Sequence, residues 1–165
     1  MSVGGIRRAV DRTLDMVVIA LMAALVLDVL WQVSTRYLLG APSSWSEELA
    51  TFLLIWLTLL AAAVGLRDQA HLGIDYVTSK LQPSGRRRVE LFAHGSVAAF
   101  CAIVLTYGGS TLAFRTLALD QTSPALGIPM GYVYLALPVG GLAMVWYSVH
   151  FLVARLAAPP EASEH

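Results

Sequence analysis

Four long apolar runs restrict the folds open to this 165-residue sequence more than any other feature. The first run has 24 residues, which as a helix would extend about 36 Å, more than the roughly 30 Å of membrane hydrocarbon. Lipid offers no hydrogen-bond partner to exposed backbone groups, and the runs lack the alternation typical of a barrel. The sequence therefore predicts an all-α integral membrane protein, with one membrane domain over 1–165 and helices at about 14–37, 49–66, 91–114 and 132–153.

The composition supports a membrane protein and excludes other classes. Hydrophobic residues make up 57% of the chain and charged residues 13%, and the formal net charge is zero. Soluble domains have about 25% charged residues, so this chain has roughly half that share. An intrinsically disordered chain and a basic nucleic-acid-binding protein are therefore excluded.

The basic residues predict the orientation of the helices. Nine of the 11 lysines and arginines lie before the first run, between the second and third runs, or after the fourth. Arg36 and Arg115 are the two in the remaining connections. Because positively charged loops stay in the cytoplasm, we expect both termini and the middle connection to be cytoplasmic.

The middle connection, between the second and third runs, contains an amphipathic pattern. Ile74, Val77 and Leu81 recur at helical spacing, and the polar side chains of this segment would lie largely on the opposite face of a helix. This pattern predicts a short amphipathic helix over 73–81, on the cytoplasmic surface between the second and third membrane helices.

Polar residues at the end of the first run form a predicted stripe. Asp28, Gln32 and Arg36 are four residues apart, so they share one face of a helix. An aspartate at this depth is costly unless it is paired or hydrated, so the stripe is expected to face protein rather than lipid. A proton or ion relay is the alternative, but 16–27 contains no ionisable group that would continue it.

The second run begins with an acidic pair, Glu47 and Glu48, which the helix dipole would stabilise in the first turn. Ser44 or Ser46 is the expected N-cap. Either glutamate is also within predicted reach of Arg36, which would join the first two helices.

Two further features concern helix shape and packing. Ala61 with Gly65, and Gly95 with Ala99, have the small-residue spacing found where membrane helices pack closely. Pro138 predicts a kink in the fourth helix, because proline removes one backbone donor.

The sequence contains no phosphate loop, thiol pair or metal motif. The predicted topology brings His94 and His150 to similar depth, where two facing histidines could ligate a haem. A haem-binding or electron-transfer anchor is therefore an alternative function, and a self-sufficient small transporter is another. The scarcity of charged residues inside the runs is evidence against the latter.

Several motifs resemble one family of transport proteins. They are the segment from Trp31 through Arg36-Tyr37, the pattern Trp45-Ser-Glu47-Glu48, the pair Ile55-Trp56, the stretch from Arg67 to Asp75, and the segments Gly127-Ile-Pro129 and Tyr134-Leu-Ala-Leu-Pro138. Their order and spacing resemble the small membrane subunit of tripartite ATP-independent periplasmic (TRAP) transporters, the DctQ family. The likeness extends from about Arg7 to Arg155.

The resemblance implies a role and a set of partners. In such systems a periplasmic binding protein captures a solute, often an organic acid, and a large membrane subunit moves it inward using an ion gradient. The resemblance implies that this chain is a non-catalytic scaffold for the large subunit in a bacterial inner membrane, with no cofactor. The polar stripe of the first helix and the matching motifs together give a predicted polar set at the subunit interface or within the structure: Asp28, Gln32, Arg36, Trp45, Glu47, Glu48, His71 and Asp75.

Overall fold

The computed structural model describes residues 3–38, 40, 43–68 and 83–157. Its helices, in chain order, are α1 Val3–Leu38, α2 Ser44–Arg67, α3 Pro83–Phe100, a π-helical segment Cys101–Gly108, α4 Gly109–Ala118, α5 Met130–Tyr134 and α6 Ala136–Ala157. The predicted surface helix over 73–81 lies outside the described residues.

Four helical stretches of the described chain are long and apolar enough to cross a membrane. They are Arg7–Leu38, Ser44–Arg67, Leu91–Ala118 and Met130–Ala154. The third combines most of α3 with the π-helical segment and α4, and the fourth combines α5 with most of α6. The predicted all-α fold with four membrane-spanning helices is confirmed.

The spans are arranged in a row. α1 packs against α2, α2 packs against α6, and α6 packs against α3 and the π-helical segment. Because consecutive spans are antiparallel, one end of the helix bundle carries Arg7, Arg12 and Arg67, and we call it the basic end. The connection 119–129 lies at the opposite end of the helices, which we call the loop end.

The face of α1 that packs on α2 follows a heptad-like pattern. Its partly or fully buried positions include Leu14, Val18, Leu21, Leu25 and Asp28, which are alternately four and three residues apart. This spacing keeps one narrow stripe of a helix against a neighbouring helix. Many of the other large side chains of α1 are exposed. Within this chain, α1 therefore packs against its neighbours mainly through this one stripe.

The buried core lies between α2, the π-helical segment and α6. Ala63 and Leu66 of α2, Cys101 of the π-helical segment, and Met144 and Tyr147 of α6 form one cluster, against which Leu14 of α1 packs. Cys101 is buried with its Sγ 3.8 Å from the Met144 sulfur. Its surroundings are those of a small core residue.

The fourth span is interrupted one turn before Pro138. α5 ends at Tyr134 and α6 begins at Ala136, with Leu135 between them. A proline ring clashes with the carbonyl four residues earlier, and here that carbonyl belongs to Tyr134. The helix is therefore interrupted at Leu135, one turn before the proline for which the kink was predicted.

The predicted N-cap of α2 was wrong, and the small-residue spacing does not correspond to close contacts of its glycines within this chain. The N-cap of α2 is Ser43 rather than Ser44 or Ser46, and no side-chain hydrogen bond caps the helix. A methyl group added at Gly65 or Gly95 would meet no neighbouring atom within 4 Å, so these glycines do not mark close contacts within this chain. The close contacts occur at other glycines, including Gly140 and Gly141 on α6.

Candidate functional site: polar clusters at the two ends of the helices

A polar cluster at the basic end is centred on Arg67, the last residue of α2. Its Nη1 lies 2.8 Å from Asp15 Oδ1 on α1, and its Nε donates to Asp68 Oδ1 at 2.8 Å. Arg67 Nη1 also donates to the backbone carbonyl of Asp11 at 3.4 Å. A guanidinium group has five donors in a fixed plane, so one side chain can hold both helices.

The same cluster extends to α6 through α1. The Tyr147 hydroxyl donates to Asp11 Oδ1 at 2.7 Å, and Arg7 Nη1 lies 3.0 Å from His150 Nε2. Arg7 Nε is 3.8 Å from the other oxygen of Asp11. Because arginine has no acceptor, His150 accepts this hydrogen bond at Nε2. The cluster therefore connects α1, α2 and α6 at one end.

The charges of this cluster differ in their exposure. The Arg67 side chain is 14% exposed, whereas those of Asp15 and Asp68 are 42% and 56% exposed. The hydrogen bond from Arg67 lowers the pKa of Asp68 below its ordinary value. Solvent screens the exposed carboxylates, so each pair contributes on the order of 1 kcal/mol or less. The main consequence is geometric, because Arg67 holds the end of α2 in a fixed position against α1.

A second polar contact lies at the loop end. Glu48 Oε2, in the first turns of α2, accepts hydrogen bonds from the backbone N–H groups of Ala125 and Leu126 at 3.0 and 2.7 Å. Hydrogen bonds to an ionised acceptor are stronger than those between neutral groups. This carboxylate therefore fastens the connection between α4 and α5 to the start of α2.

The connection that Glu48 holds has its own internal hydrogen bonds. Ser123 N donates to the Ile128 carbonyl at 2.9 Å, Gly127 N donates to the Ser123 carbonyl at 3.1 Å, and Ile128 N donates to Ser123 Oγ at 3.2 Å. Gly127 has a φ of 65°, a left-handed conformation that glycine adopts without steric cost. The loop 122–129 is thus a closed turn with its Ala125 and Leu126 donors directed to Glu48.

The predicted stripe on α1 is only partly directed into the chain. Asp28 is buried with 7% of its surface exposed, Gln32 is half-buried, and Arg36 is exposed. Thr35 is also 7% exposed, so it shares the buried face and takes the place predicted for Arg36. Among the described residues, no ion pair within 4.0 Å joins Arg36 to Asp28, Glu47 or Glu48.

The other residues singled out from the sequence have separate surroundings. Trp45 is 44% exposed at the start of α2, and Glu47 is exposed beside it. His71 and Asp75 lie outside the described residues. The structure therefore brings Glu48 into a polar contact, but it does not gather the six described members of the predicted set into one site.

The two histidines of the haem alternative have different neighbours. The His94 ring packs on Phe151 with ring centroids 3.8 Å apart, and His150 Nε2 bonds to Arg7. Within the described parts of the chain, no group of three or more histidine, cysteine, aspartate or glutamate residues is placed to hold a metal ion.

Sequence reasoning missed most of the cluster at the basic end. Asp11, Asp15 and Tyr147 carry its contacts, and none of them was singled out. A signal was present, because Arg7, Asp11 and Asp15 are spaced four residues apart and therefore share one face of α1. That face is the one continued by the heptad-like stripe.

Comparisons with known proteins identify relatives over most of the chain. Residues 25–158 match the family model described as tripartite ATP-independent periplasmic transporters, DctQ component. The sialic acid TRAP transporter small permease protein SiaQ of Vibrio cholerae is 30% identical over 141 residues, which are 86% of this chain and 80% of that protein. The C4-dicarboxylate TRAP transporter small permease protein DctQ of Rhodobacter capsulatus is 36% identical over 118 residues, 70% of this chain and 52% of that protein.

A further relative is much longer. The sialic acid TRAP transporter permease protein SiaT of Haemophilus influenzae is 27% identical over 115 residues. These residues are 70% of this chain but 18% of SiaT. A segment similar to this chain is therefore joined in SiaT to a larger permease portion.

Proposed function

Because the chain belongs to the DctQ component family of tripartite ATP-independent periplasmic transporters, we propose that it is the non-catalytic small subunit that scaffolds a large transport subunit. The large subunit would move the solute inward, driven by an ion gradient. A periplasmic binding protein would deliver the solute, an organic acid or a similar compound. The complex would lie in a bacterial inner membrane.

The relation to SiaT is the observation that carries this proposal. When a segment similar to one protein is part of a longer permease in a relative, the two portions are kept together in the membrane. A separate small chain would keep the same association without a covalent connection. Its large partner supplies the transport path, and the small chain supplies a fixed surface beside it.

The polar clusters support a scaffold role. Arg67 joins α2 to α1 at the basic end, and Glu48 joins α2 to the connection after α4 at the loop end. Between helices in lipid there is little hydrophobic driving force, so packing and polar contacts determine their arrangement. Contacts at both ends of α2 hold the spans as one unit, which a supporting subunit requires.

Co-expression tests the proposal. The chain would carry an affinity tag and be expressed with the large TRAP membrane subunit of the same organism. We expect the two to co-purify, and we expect uptake into vesicles to require both chains and the binding protein. Recovery of the tagged chain alone from cells that contain the partner would contradict the proposal, as would solute uptake by vesicles containing this chain alone.

A further inference from the structure

Asp28 is a buried acidic group that the scaffold role leaves unexplained. It lies within the span Arg7–Leu38, ten residues before the end of α1, which corresponds to about 15 Å along the helix. The residue is 7% exposed, and its Oδ2 is buried with no hydrogen-bond partner among the described residues. An ionised carboxylate in such surroundings is strongly disfavoured.

Among the described residues of α1 and α2, no positive charge lies close enough to compensate for a charge on Asp28. On α1, Arg36 is eight residues away, about 12 Å along the helix, and it is exposed. α2 is the helix whose backbone packs against α1, and between its two ends, over 51–66, it contains no titratable residue. Its titratable groups are Glu47 and Glu48 at the loop end, which would oppose a second negative charge, and Arg67 at the basic end.

Hydroxyl groups in the spans show which partner a helix provides for a polar side chain. Several of them donate to the backbone carbonyl four residues earlier: Thr13, Ser34, Thr51, Thr58 and Thr116. A preceding helical turn offers acceptors and no free donors. For Asp28 the equivalent carbonyl belongs to Ala24. A carboxylate cannot donate to it, whereas a carboxylic acid can.

We propose that Asp28 is a proton-binding site that is occupied at neutral pH, so that its side chain is a neutral carboxylic acid enclosed between α1 and α2. The bound proton removes the charge that the span cannot accommodate, and it turns Asp28 into a hydrogen-bond donor. The protonated side chain of Asp28 can then donate a hydrogen bond to the backbone carbonyl of Ala24, as the hydroxyl residues of the spans donate to the carbonyl four residues earlier. This proposal is argued from the surroundings of Asp28 within this chain and does not rest on the proposed function.

Infrared spectroscopy of the whole chain in lipid vesicles tests the proposal directly. A carboxylic acid has a carbonyl stretching band that an ionised carboxylate lacks, and this band shifts when deuterium replaces the proton. The difference spectrum between the natural chain and Asp28→Asn is expected to show the loss of this band at neutral pH. The matched control is Asp15→Asn, which removes the carboxylate beside Arg67 and should show the loss of ionised-carboxylate bands only.

Isotope labelling provides a second measurement without any substitution. Carbon-13 at the side-chain carboxyl of aspartate should shift the carboxylic acid band of the natural chain. If Asp28→Asn fails to fold, this label still decides the question. Observation of ionised carboxylate bands alone at neutral pH, in the labelled chain or in the Asp28→Asn difference spectrum, would overturn the proposal.

Stability gives the third readout. Asparagine matches a neutral carboxylic acid in size and can donate a hydrogen bond, so Asp28→Asn is expected to leave the thermal unfolding temperature unchanged. Asp28→Leu loses the donor and should lower that temperature. A marked loss of stability in Asp28→Asn, equal to or larger than that in Asp28→Leu, would contradict a neutral Asp28.

Discussion

Gly140 and Gly141 are adjacent in sequence, yet each faces a different span. A Cβ atom added at Gly140 would lie 3.0 Å from Leu59 Cβ on α2. One added at Gly141 would lie 2.8 Å from Leu105 Cβ and 2.8 Å from Thr106 Oγ1 in the π-helical segment. This pair therefore lets α6 approach two neighbouring helices at the same height. Close backbone approach at small residues is a main source of helix association in lipid.

The first prediction follows from the space at these two positions. Gly141→Ala is expected to destabilise the chain by about 1–3 kcal/mol, because the new methyl group overlaps atoms that sit near the backbone and cannot easily move. Gly140→Ala should cost less, since its nearest contact is longer. Thermal unfolding in detergent, followed by circular dichroism, measures the difference.

Gly65 and Gly95 supply the matched controls for this comparison. Both are helical glycines, and a methyl group at either position would meet no neighbouring atom within 4 Å. Alanine there should be neutral or stabilising by up to roughly 1 kcal/mol, since glycine is unfavourable inside a helix. Equal losses of stability at Gly65 and Gly141 would contradict this account, because helix propensity favours alanine at both positions and only Gly141 lacks space for the methyl group.

The four-helix fold was predictable because it depends on the length of apolar runs. A helix that crosses the hydrocarbon layer needs a minimum number of consecutive apolar residues, and such runs can be counted directly in the sequence. The break in the fourth span was predictable for a similar reason, because Pro138 lacks a donor whatever its neighbours are. These features depend on local chemistry alone.

Features that depend on pairing between distant residues could not be derived from the sequence. Glu48 was expected to favour the dipole of its own helix or Arg36, but it bonds to Ala125 and Leu126, about 77 positions later. Gly65 has the spacing of a packing glycine and makes no such contact, whereas Gly141 does. The rotation of each helix about its axis decides both outcomes, and apolar runs do not specify that rotation.

The second prediction concerns the Glu48 contact at the loop end. Glu48→Gln leaves one neutral oxygen to accept the two backbone hydrogen bonds, so the loop 122–129 should be held less firmly. Hydrogen bonds to charged groups contribute about 1.5–3 kcal/mol, and part of this is expected to be lost. Hydrogen–deuterium exchange should show faster exchange at Ala125 and Leu126.

Glu47→Gln is the control for that measurement. Glu47 is exposed and adjacent to Glu48, so its substitution removes the same charge from the first turn of α2. Exchange at Ala125 and Leu126 should then remain as in the natural chain. If both variants accelerate exchange equally, the helix dipole rather than the direct hydrogen bonds would explain the order of the loop.

The third prediction tests the Arg67 cluster at the basic end. Arg67→Lys retains the charge but lacks the planar group that reaches Asp15 and Asp68 together. We expect a loss of about 1 kcal/mol, limited by the exposure of both carboxylates. Arg115→Lys, at an exposed position at the loop end, should have no effect. A double-mutant cycle with Asp15→Asn should give a coupling energy clearly above zero; additive effects would exclude a direct Arg67–Asp15 interaction.

The fourth prediction compares two neighbouring residues on α6. Tyr147→Phe removes the donor that binds Asp11 Oδ1 at 2.7 Å, and it should lower stability by about 1–2 kcal/mol because that carboxylate is charged. Ser148 is fully buried, but its Oγ has no hydrogen-bond partner among the described residues. Ser148→Ala should therefore be neutral or slightly stabilising. A larger loss of unfolding temperature for Ser148→Ala than for Tyr147→Phe would contradict the assigned contacts.

The fifth prediction states which side of the membrane the basic end and the loop end each face. Of the 11 basic residues, nine fall before the first span, between the second and third, or after the fourth. The antiparallel spans bring these segments to the basic end, and positively charged segments remain in the cytoplasm. The loop end, with the Glu48 contact and the loop 122–129, should then face the periplasm.

Enzyme fusions test this orientation, because alkaline phosphatase is active only after export. Fusion after Arg155 should give an inactive phosphatase, and fusion at Asp120, an exposed residue in the turn after α4, should give an active one. A cytoplasmic reporter such as green fluorescent protein should show the opposite pattern at the same positions. Active phosphatase after Arg155 with inactive phosphatase at Asp120 would reverse the topology, and the Glu48-held loop would then face the cytoplasm.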